Sequence, residues 1–314
     1  MVKQNYLNLH DSKRNKNDEF YTQLKDIEEY LCKFIPDFNN KYIYCNCDGL
    51  SSNFYIYFKT HFKEFNLRHL TATEYNKRGA GTRIDFDGTI ETVTQMDFFN
   101  SGSFDCDTSI HILKQCDIVI TNPPFSLFRQ YYDTLKKYNK KFIVLGFWMA
   151  FACSNVLPDI INKKTFFSNN IVYFFTGSNK QIMCCWYNNI RSVDERKDTV
   201  YTCKYNKDLH KECDNWKCLF IKKQKDIPID YYDLIVVPLG FIYTKEFWNN
   251  YEFVCMSNTP SSIPKWVWEN YWKEDFKPPK GIRIKDSDSV VNGKVQFIRI
   301  VVRRKKKTFN TKGV

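Results

Sequence analysis

Residues 118–125 read IVITNPPF, and this stretch decides how the rest of the chain is interpreted. Its first four residues are β-branched, which is typical of a buried strand. The asparagine and the two prolines that follow cannot extend a sheet. Proline has no N–H to donate, and it disfavours helical backbone in the residue before it. The stretch therefore predicts a buried strand that ends at Asn122, with a rigid segment directly after it.

The rigid segment carries the groups needed to hold a planar amine. Both prolines have a fixed φ, so the Pro123 carbonyl is held in a set direction beside the side-chain carbonyl of Asn122. Two such oxygens can accept both hydrogens of an exocyclic amino group, and the Phe125 ring offers a face on which a base can stack. The alternative is that Asn122 caps a helix whose first turn contains proline. The acidic strand ends upstream favour the binding interpretation.

Strand-like and helical segments alternate over the first 160 residues, which predicts a parallel sheet with helices on both faces. The strand-like segments are KYIYCNCDG (41–49), LRHLTATEYN (67–76), CDIVITNPPF (116–125) and KKFIVLGFW (140–148). The helical segments between them include SNFYIYFKTHFKEFN (52–66) and SLFRQYYDTLKKYN (126–139). RIDFDGTIETVTQM (83–96) predicts a hairpin that turns at Asp87-Gly88. The α/β class is therefore expected.

Polar residues follow the ends of these strands. They are Asp48, Glu74, Asp97 and Asn122. Because α/β sheets bind ligands at the carboxyl ends of their strands, we expect a cofactor site at this edge.

Composition limits the compartment and the partners. The net charge is +12, with the basic run RRKKK at residues 303–307; this balance makes nucleic acid the first partner to consider, and a soluble, Lys-rich surface is the alternative. The polar N-terminus lacks the features of a signal peptide, and no stretch approaches 18 apolar residues. Twelve cysteines in such a chain indicate reduced thiols and an intracellular protein (cytoplasm or nucleoid), not a secreted one. Cys203, His210, Cys213 and Cys218 lack the paired spacing of zinc sites, so no metal is expected.

The ordered set of motifs resembles the EcoRI-type adenine-specific DNA methyltransferases, which belong to the amino-group methyltransferases with [D/N/S]-P-P-[Y/F/W]. The matching segments span nearly the whole chain: NDEFYT (17–22), CNCD (45–48) with SNFYIYF (52–58), ATEYN (72–76), TNPPF (121–125), IMCCWYNN (182–189), KDIPIDYYD (225–233) with VPLGF (237–241), and NGKVQFIRIVVRRKK (292–306). One difference is that Asp48-Gly49-Leu50 stands where the family usually has Asp-Asp-Pro. We expect this glycine to keep the turn flexible.

The resemblance implies a Rossmann-like class I S-adenosylmethionine-dependent methyltransferase sheet with a C-terminal mixed DNA-recognition region. The polar residues 1–15 predict a flexible N-terminus, and the rest of the chain is expected to divide into an S-adenosylmethionine-binding catalytic domain (16–200) and a strand-rich, aromatic and basic target-recognition region (201–314). The implied reaction is site-specific transfer of a methyl group from S-adenosyl-L-methionine to N6 of a flipped-out adenine in double-stranded DNA, as in restriction-modification. A cognate restriction endonuclease acting on the same site would be a partner.

Residue roles implied by the resemblance fall into four groups. Catalysis would use Asn122, Pro123, Pro124 and Phe125. Cofactor binding would use Phe20, Tyr21, Asp48, Ser52, Asn53, Glu74, Asp97 and Asn122, with Glu74 on the ribose hydroxyls. The flipped base would stack on Phe125 and on Trp186 or Tyr187. DNA phosphates would be neutralised by Lys265, Lys273, Arg303 and Arg304.

Two alternatives stay open at the level of sequence. The same motif could hold an amine of RNA or of a protein glutamine side chain. The second alternative is a catalytically silent DNA-binding protein with this fold, which the intact NPPF motif opposes.

Overall fold

A computed structural model of the protein describes residues 22–175, 181–193, 196, 198–257, 259, 262–278 and 288–306. Internal contacts divide the chain into two compact units, Met1–Glu195 and Arg196–Val314. Among the described residues, none of the helices combines the length and the apolar character needed to cross a membrane. The predicted flexible segment 1–15 lies outside the described residues.

The described strands of the first unit form one mixed sheet, in the order β4-β3-β2-β1-β5-β6-β8-β7. Their bounds are β1 Tyr42–Cys45, β2 His69–Glu74, β3 Thr82–Phe86, β4 Glu91–Gln95, β5 Ile118–Thr121, β6 Lys141–Phe147, β7 Phe166–Phe175 and β8 Gln181–Asn188. The four central strands, β2, β1, β5 and β6, are parallel, as the sequence predicts. Antiparallel strands extend the sheet at both edges.

Helices follow the central strands. Their bounds are α1 Leu24–Leu31, α2 Ile35–Phe38, α3 Asn53–Thr60, α4 Asp107–Gln115, α5 Phe128–Lys137 and α6 Leu157–Ile161. Short 3₁₀ turns lie at Cys32–Phe34, Phe125–Leu127 and Trp148–Ala152. Every residue of β1 and β5 is buried, which explains why these strands read as continuous apolar runs rather than alternating ones.

The hairpin predicted around Asp87-Gly88 is present as β3 and β4. Gly88 has a φ of +98°, which only glycine adopts readily. The Asp87 carboxylate accepts hydrogen bonds from the backbone N–H groups of Thr89 and Ile90, each at 2.8 Å. Because β4 runs in the same direction as β2, its end brings Asp97 to the edge of the sheet at which β1, β2 and β5 also end.

In the described part of the second unit, a four-stranded sheet has the order β11-β14-β10-β9, and a two-stranded ribbon pairs β12 with β13. The elements are β9 Leu219–Phe220, β10 Leu234–Pro238, α7 Lys245–Asn250, β11 Tyr251–Met256, α8 Lys265–Tyr271, β12 Val290–Val291, β13 Lys294–Val295 and β14 Arg299–Arg304, with 3₁₀ turns at Gln224–Asp226 and Leu239–Tyr243. Trp216 packs between Trp268 and Trp272, with ring centroids 4.7 and 5.0 Å away. The tryptophans therefore contribute to the core of this unit.

Candidate active site

The motif NPPF leaves β5 in an extended conformation and only then enters a helix. Pro124 has φ −60° and ψ 121°, and its carbonyl accepts a hydrogen bond from the Leu127 N–H at 3.0 Å. The Pro123 carbonyl takes part in no hydrogen bond within the described residues, so it is the backbone acceptor available beside Asn122. The role of Asn122 and Pro123 as a pair of acceptors stays a prediction.

The structure excludes the alternative that Asn122 serves as a helix cap. The residue that precedes the 3₁₀ turn is Pro124, the residue that precedes α5 is Leu127, and neither helix start has a side-chain cap. Asn122 lies half-buried before both of them. Helix capping therefore does not explain why an asparagine lies at position 122.

Asp48 ties the ends of β1 and β5 together. Thr121, the last residue of β5, donates from its hydroxyl to Asp48 Oδ2, and Ser52 donates to Oδ1 at 2.5 Å. The Ser52 hydroxyl also caps α3 by accepting from the Phe54 N–H at 3.2 Å. Both oxygens of Asp48 are thus used inside the protein, which makes it a residue that positions the strand ends. Thr121 was not anticipated from the sequence, because only the fold brings it beside Asp48.

Burial changes the ionisation of this acid. It raises the pKa of the Asp48 carboxyl to about 6, while the hydrogen bonds from Ser52 and Thr121 act in the opposite direction. Burial wins because two hydroxyl donors do not replace the hydration that a carboxylate loses in the interior.

Glu74, the last residue of β2, has the opposite surroundings. Its side chain is exposed, and no group of the described residues donates a hydrogen bond to its carboxylate. A Cβ added to Gly49 would lie 2.6 Å from Oε2 and 2.8 Å from Oε1 of Glu74. The backbone at Gly49 is not in the left-handed region, so a larger residue here would displace the Glu74 carboxylate rather than strain the backbone. The expectation that Gly49 keeps the turn flexible stays a prediction.

The start of α3 also contacts Thr22, the last residue of the motif NDEFYT. The Asn53 amide donates to the Thr22 carbonyl at 2.7 Å, and Thr22 is buried. Phe20 and Tyr21, the two residues predicted to approach the cofactor, lie outside the described residues. Asn53 therefore fixes the last residue of this motif, beside the loop that carries Asp48.

Asp97 lies on a loop that is locked to the end of β2. Its side chain is exposed. The Asn76 N–H donates to the Ser101 carbonyl at 2.7 Å, and a Cβ on Gly102, which has φ +77°, would collide with the carbonyl oxygen of Glu74. Two backbones thus meet without room for a side chain, which fixes the Asp97 loop against the strand that carries Glu74.

Two aromatic rings that sequence reasoning missed follow Asp97. Phe98 and Phe99 are 75% and 92% exposed, and their ring centroids are 5.7 Å apart. Apolar rings exposed to this degree beside polar site residues are unusual in a free protein and are typical of surfaces that bind a ligand or partner.

The three rings predicted to receive the target base are buried in this conformation. Phe125 is 4% exposed, and Trp186 and Tyr187 are fully buried. Trp186 stacks on Tyr30 at 4.7 Å, and the Tyr187 hydroxyl accepts from the Phe151 N–H at 3.0 Å. Trp186 and Tyr187 lie in the middle of β8, opposite Leu145 and Val144 of β6. A base could reach their faces only after a rearrangement of the core.

All four residues predicted to bind DNA make ion pairs with acids of their own unit. Arg303 lies 2.5 Å from Glu252, and Arg304 lies 3.2 Å from Glu246. The remaining two pairs are Lys273–Glu212 at 3.0 Å and Lys265–Glu269 at 3.3 Å. Of the four cations only Lys265 is largely exposed, at 90%. Its role in DNA binding stays a prediction, as do those of the other three.

The candidate zinc ligands do not converge. Cys203 Sγ lies 3.6 Å from His210 Nε2, but Cys213 and Cys218 are buried in the core of their unit. His210 Nδ1 accepts from the Asn206 N–H at 3.0 Å, so the ring proton lies on Nε2. Across the described ranges, no group of three or more His, Cys, Asp or Glu side chains is arranged to hold a metal ion.

Comparisons with a family model and with known proteins found matches that cover nearly the whole chain. A family model described as "Adenine-specific methyltransferase EcoRI" matches residues 8–181 and 175–305. The chain is 32% identical to the type II methyltransferase M.EcoRI of Escherichia coli, over 95% of this chain and 96% of that protein. It is 30% identical to the type II methyltransferase M.MgeORF184P of Mycoplasma genitalium, over 93% and 97% of the two chains. The type II methyltransferase M.MpnI of Mycoplasma pneumoniae is 26% identical, over 94% and 97%. A search of solved structures found no match.

Proposed function

The chain belongs to the EcoRI family of adenine-specific methyltransferases and is a site-specific DNA methyltransferase; from this premise we propose that it transfers a methyl group from S-adenosylmethionine to N6 of an adenine rotated out of double-stranded DNA. The observation that carries the proposal is the position of Asn122-Pro123-Pro124-Phe125. The motif leaves the carboxyl end of a buried central strand in an extended conformation, with no helix cap to explain its asparagine. Ligands of α/β sheets bind at this edge.

The residues at this edge fit the cofactor. The Glu74 carboxylate is exposed, has no donor within the described residues, and lies against a glycine that leaves it room. An ionised carboxylate of this kind accepts the two hydroxyl hydrogens of a ribose. We infer that Glu74 binds the ribose of S-adenosylmethionine, and that Asp97, exposed on the adjoining loop, faces its adenine. When bound, the cofactor would supply an electrophilic methyl group.

Asp48, Ser52 and Asn53 have an indirect role in this proposal. Asp48 already accepts from Ser52 and Thr121, and Asn53 already donates to Thr22. These bonds hold the ends of β1 and β5 together and fix Thr22 at the start of α3. We propose that the three residues position the cofactor site, and that direct contact falls to Glu74 and Asp97.

The adenine must leave the duplex because its amino group is otherwise inaccessible, and this costs a few kcal/mol. Stacking of the flipped base on an aromatic ring, worth about 1–3 kcal/mol, offsets part of that cost. In the proposed site the Asn122 side-chain carbonyl and the Pro123 carbonyl accept the two N6–H hydrogens. This pairing would orient the amino group, with its nitrogen lone pair, toward the methyl group that the cofactor would supply. Holding both reactants in line is a large part of the rate enhancement.

The alternative substrates have no support in specific observations. Nothing in the site favours RNA or a protein glutamine over DNA, and the family of the chain methylates adenine by its description. A catalytically silent protein is also disfavoured, because the strand end, the acceptors and the exposed Glu74 are all retained. We further infer that a restriction endonuclease acting on the same DNA site is its partner, since the similar proteins are type II methyltransferases.

Substitution of Asn122 by alanine tests the mechanism. Loss of one preorganised hydrogen-bonding group should lower kcat by about 100- to 1000-fold. The assay would follow transfer of labelled methyl from S-adenosylmethionine to duplex DNA, with nuclease treatment of the product to exclude RNA and protein substrates. Asn249→Ala, at an exposed asparagine of the second unit, is the matched control and should keep full activity. Full activity in Asn122→Ala, with normal folding, would show that the proposed clamp is wrong.

A further inference from the structure

Three arginines of β14 differ in how their charges are compensated. Arg304 is 3.2 Å from Glu246 and 3.0 Å from the Tyr251 hydroxyl, and its side chain is 14% exposed. Arg303 is 2.5 Å from Glu252 and lies over the Trp266 ring. Each therefore has a carboxylate partner from another part of the same unit. Arg299, at the start of the strand, has none among the described residues.

The Arg299 guanidinium is held in place all the same. It lies 5.2 Å from the centroid of the Phe220 ring. Two hydrogen bonds to Ser257 fix the backbone of Arg299. The Arg299 N–H donates to Ser257 Oγ, and the Arg299 carbonyl accepts from the Ser257 N–H, each at 3.0 Å. Nε of Arg299 is buried and makes no hydrogen bond within the described residues. The arrangement fixes the position of a cation whose Nε–H has no acceptor within the described residues.

This arrangement is unfavourable for the protein alone. Burial lowers the pKa of Arg299, and the Cys213 thiol, rather than a carboxylate, acts in the opposite direction. A half-buried charge without a counter-ion costs free energy of folding, which an ion pair like that of Arg304 would reduce. Proteins keep such groups chiefly where they serve binding or catalysis. The guanidinium therefore lacks acceptors that a ligand with oxygen or nitrogen atoms in one plane would supply.

The chemistry of that ligand follows from the group. A guanidinium stacked on an aromatic ring presents its N–H donors in the plane of the fork, which suits two adjacent acceptors. In DNA such acceptors are the oxygens of a phosphate or the O6 and N7 atoms of guanine. We propose that Arg299, rather than Arg303 or Arg304, is the arginine of β14 that binds DNA, by donating to one such pair. The inference rests on the proposed function, which supplies DNA as the substrate.

The experiment compares Arg299→Met with wild type. Methionine keeps an apolar chain on Phe220 but removes the charge and the donors. The probe is a fluorescein-labelled duplex with the site that the wild-type protein methylates, found by methylation-sensitive sequencing of DNA from an expressing host. We expect the Kd for this duplex to rise about 10-fold or more, the size of one well-formed arginine contact to DNA. We also expect the Tm of the free protein to stay the same or to rise.

Two further variants separate ligand binding from a structural role. Arg304→Met removes a paired arginine from the same strand, so its Tm should fall. Lys222→Met removes an exposed charge of the same unit. It should raise the Kd only slightly, and by the same factor for the specific and the scrambled duplex. Arg299→Lys distinguishes the two sources of acceptors. If Arg299 binds a phosphate, Arg299→Lys should restore much of the affinity and its salt dependence. If Arg299 binds guanine, Arg299→Lys should not restore the preference for the duplex that contains the recognition site over the scrambled duplex.

The outcomes that overturn the inference are specific. Wild-type affinity in Arg299→Met would refute it, and so would a fall in Tm equal to that of Arg304→Met without any change in affinity. If the wild-type protein methylates no DNA, the proposed function itself fails. If the wild type methylates DNA and Arg299→Met binds equally well, only the assignment of Arg299 fails.

Discussion

Asp48 follows β1 and Glu74 ends β2, two neighbouring parallel strands, yet the surroundings of the two carboxylates are opposite. Asp48 is buried, and both of its oxygens accept hydrogen bonds from hydroxyl groups of the chain. Glu74 is exposed and accepts none within the described residues. The comparison shows that an acid at the correct edge of a sheet is not by that fact a ligand-binding acid. Unused acceptors distinguish Glu74 from Asp48, and each of the following predictions tests that distinction.

The largest expected effect concerns the stability of the Asp48 side. Because its pKa is raised from 3.8 to about 6, folded Asp48 holds its proton more tightly than the unfolded chain does. Its contribution to stability is therefore present at low pH and is lost as pH rises from about 4 to about 6. The loss is on the order of 3 kcal/mol. Asp48→Asn cannot titrate, so its stability relative to wild type should increase over the same interval.

Urea unfolding at pH 4 and pH 7 measures this difference. Asp275→Asn, at an exposed position of the second unit, controls for the loss of one carboxylate. Parallel pH profiles for wild type and Asp48→Asn would contradict the prediction and remove one side of the comparison.

Glu74→Gln should affect the ligand and not the fold. A hydrogen bond to a charged group contributes about 1.5–3 kcal/mol, so the affinity for S-adenosylmethionine should fall about 30-fold. The Tm should not change, since the carboxylate has no partner within the described residues to lose. Calorimetry with S-adenosylmethionine gives the affinity, and Glu274→Gln is the exposed control. A drop in Tm without loss of affinity would mean that Glu74 is structural after all.

A smaller effect is expected from Gly49→Ala. The added methyl group would lie 2.6 Å from a Glu74 oxygen, so the exposed carboxylate must move. We expect the cofactor affinity to fall about 10-fold, or about 1.4 kcal/mol, with little change in stability. Gly79→Ala is the matched control, because its Cβ would make an ordinary 3.6 Å contact with Asn76. Equal affinities for the two variants would show that Gly49 does not set the position of Glu74.

Much of the sheet could be predicted because its signals are local. The β-branched run before Asn122 and the Asp87-Gly88 turn each specify their structure within a few residues, and both are confirmed. The acids at strand ends follow from the direction of the parallel strands. Continuous burial of β1 and β5 then supplies the apolar runs from which the strands were recognised.

What could not be predicted depends on contacts between distant residues. Thr121 reaches Asp48 across 73 positions in the chain, and no pattern of spacing links them. Trp186 and Tyr187 match a family motif, but the register of β8 against β6 places their rings in the core. In the same way the RRKKK run looks like an exposed basic patch, whereas Arg304 is largely covered by Glu246 and Tyr251.

The meeting of Gly81 and Gly102 has a consequence for how this enzyme can change. A Cβ on Gly81 would collide with the Gly102 backbone, and one on Gly102 would collide with the Glu74 carbonyl. Both positions lie in loops, where substitutions are usually tolerated. A saturation library selected for methylation should nevertheless return glycine alone at both, while Gly79 in the same loop accepts other residues. Substitutions that alter the Asp97 loop of this chain must therefore leave this crossing of two backbones intact.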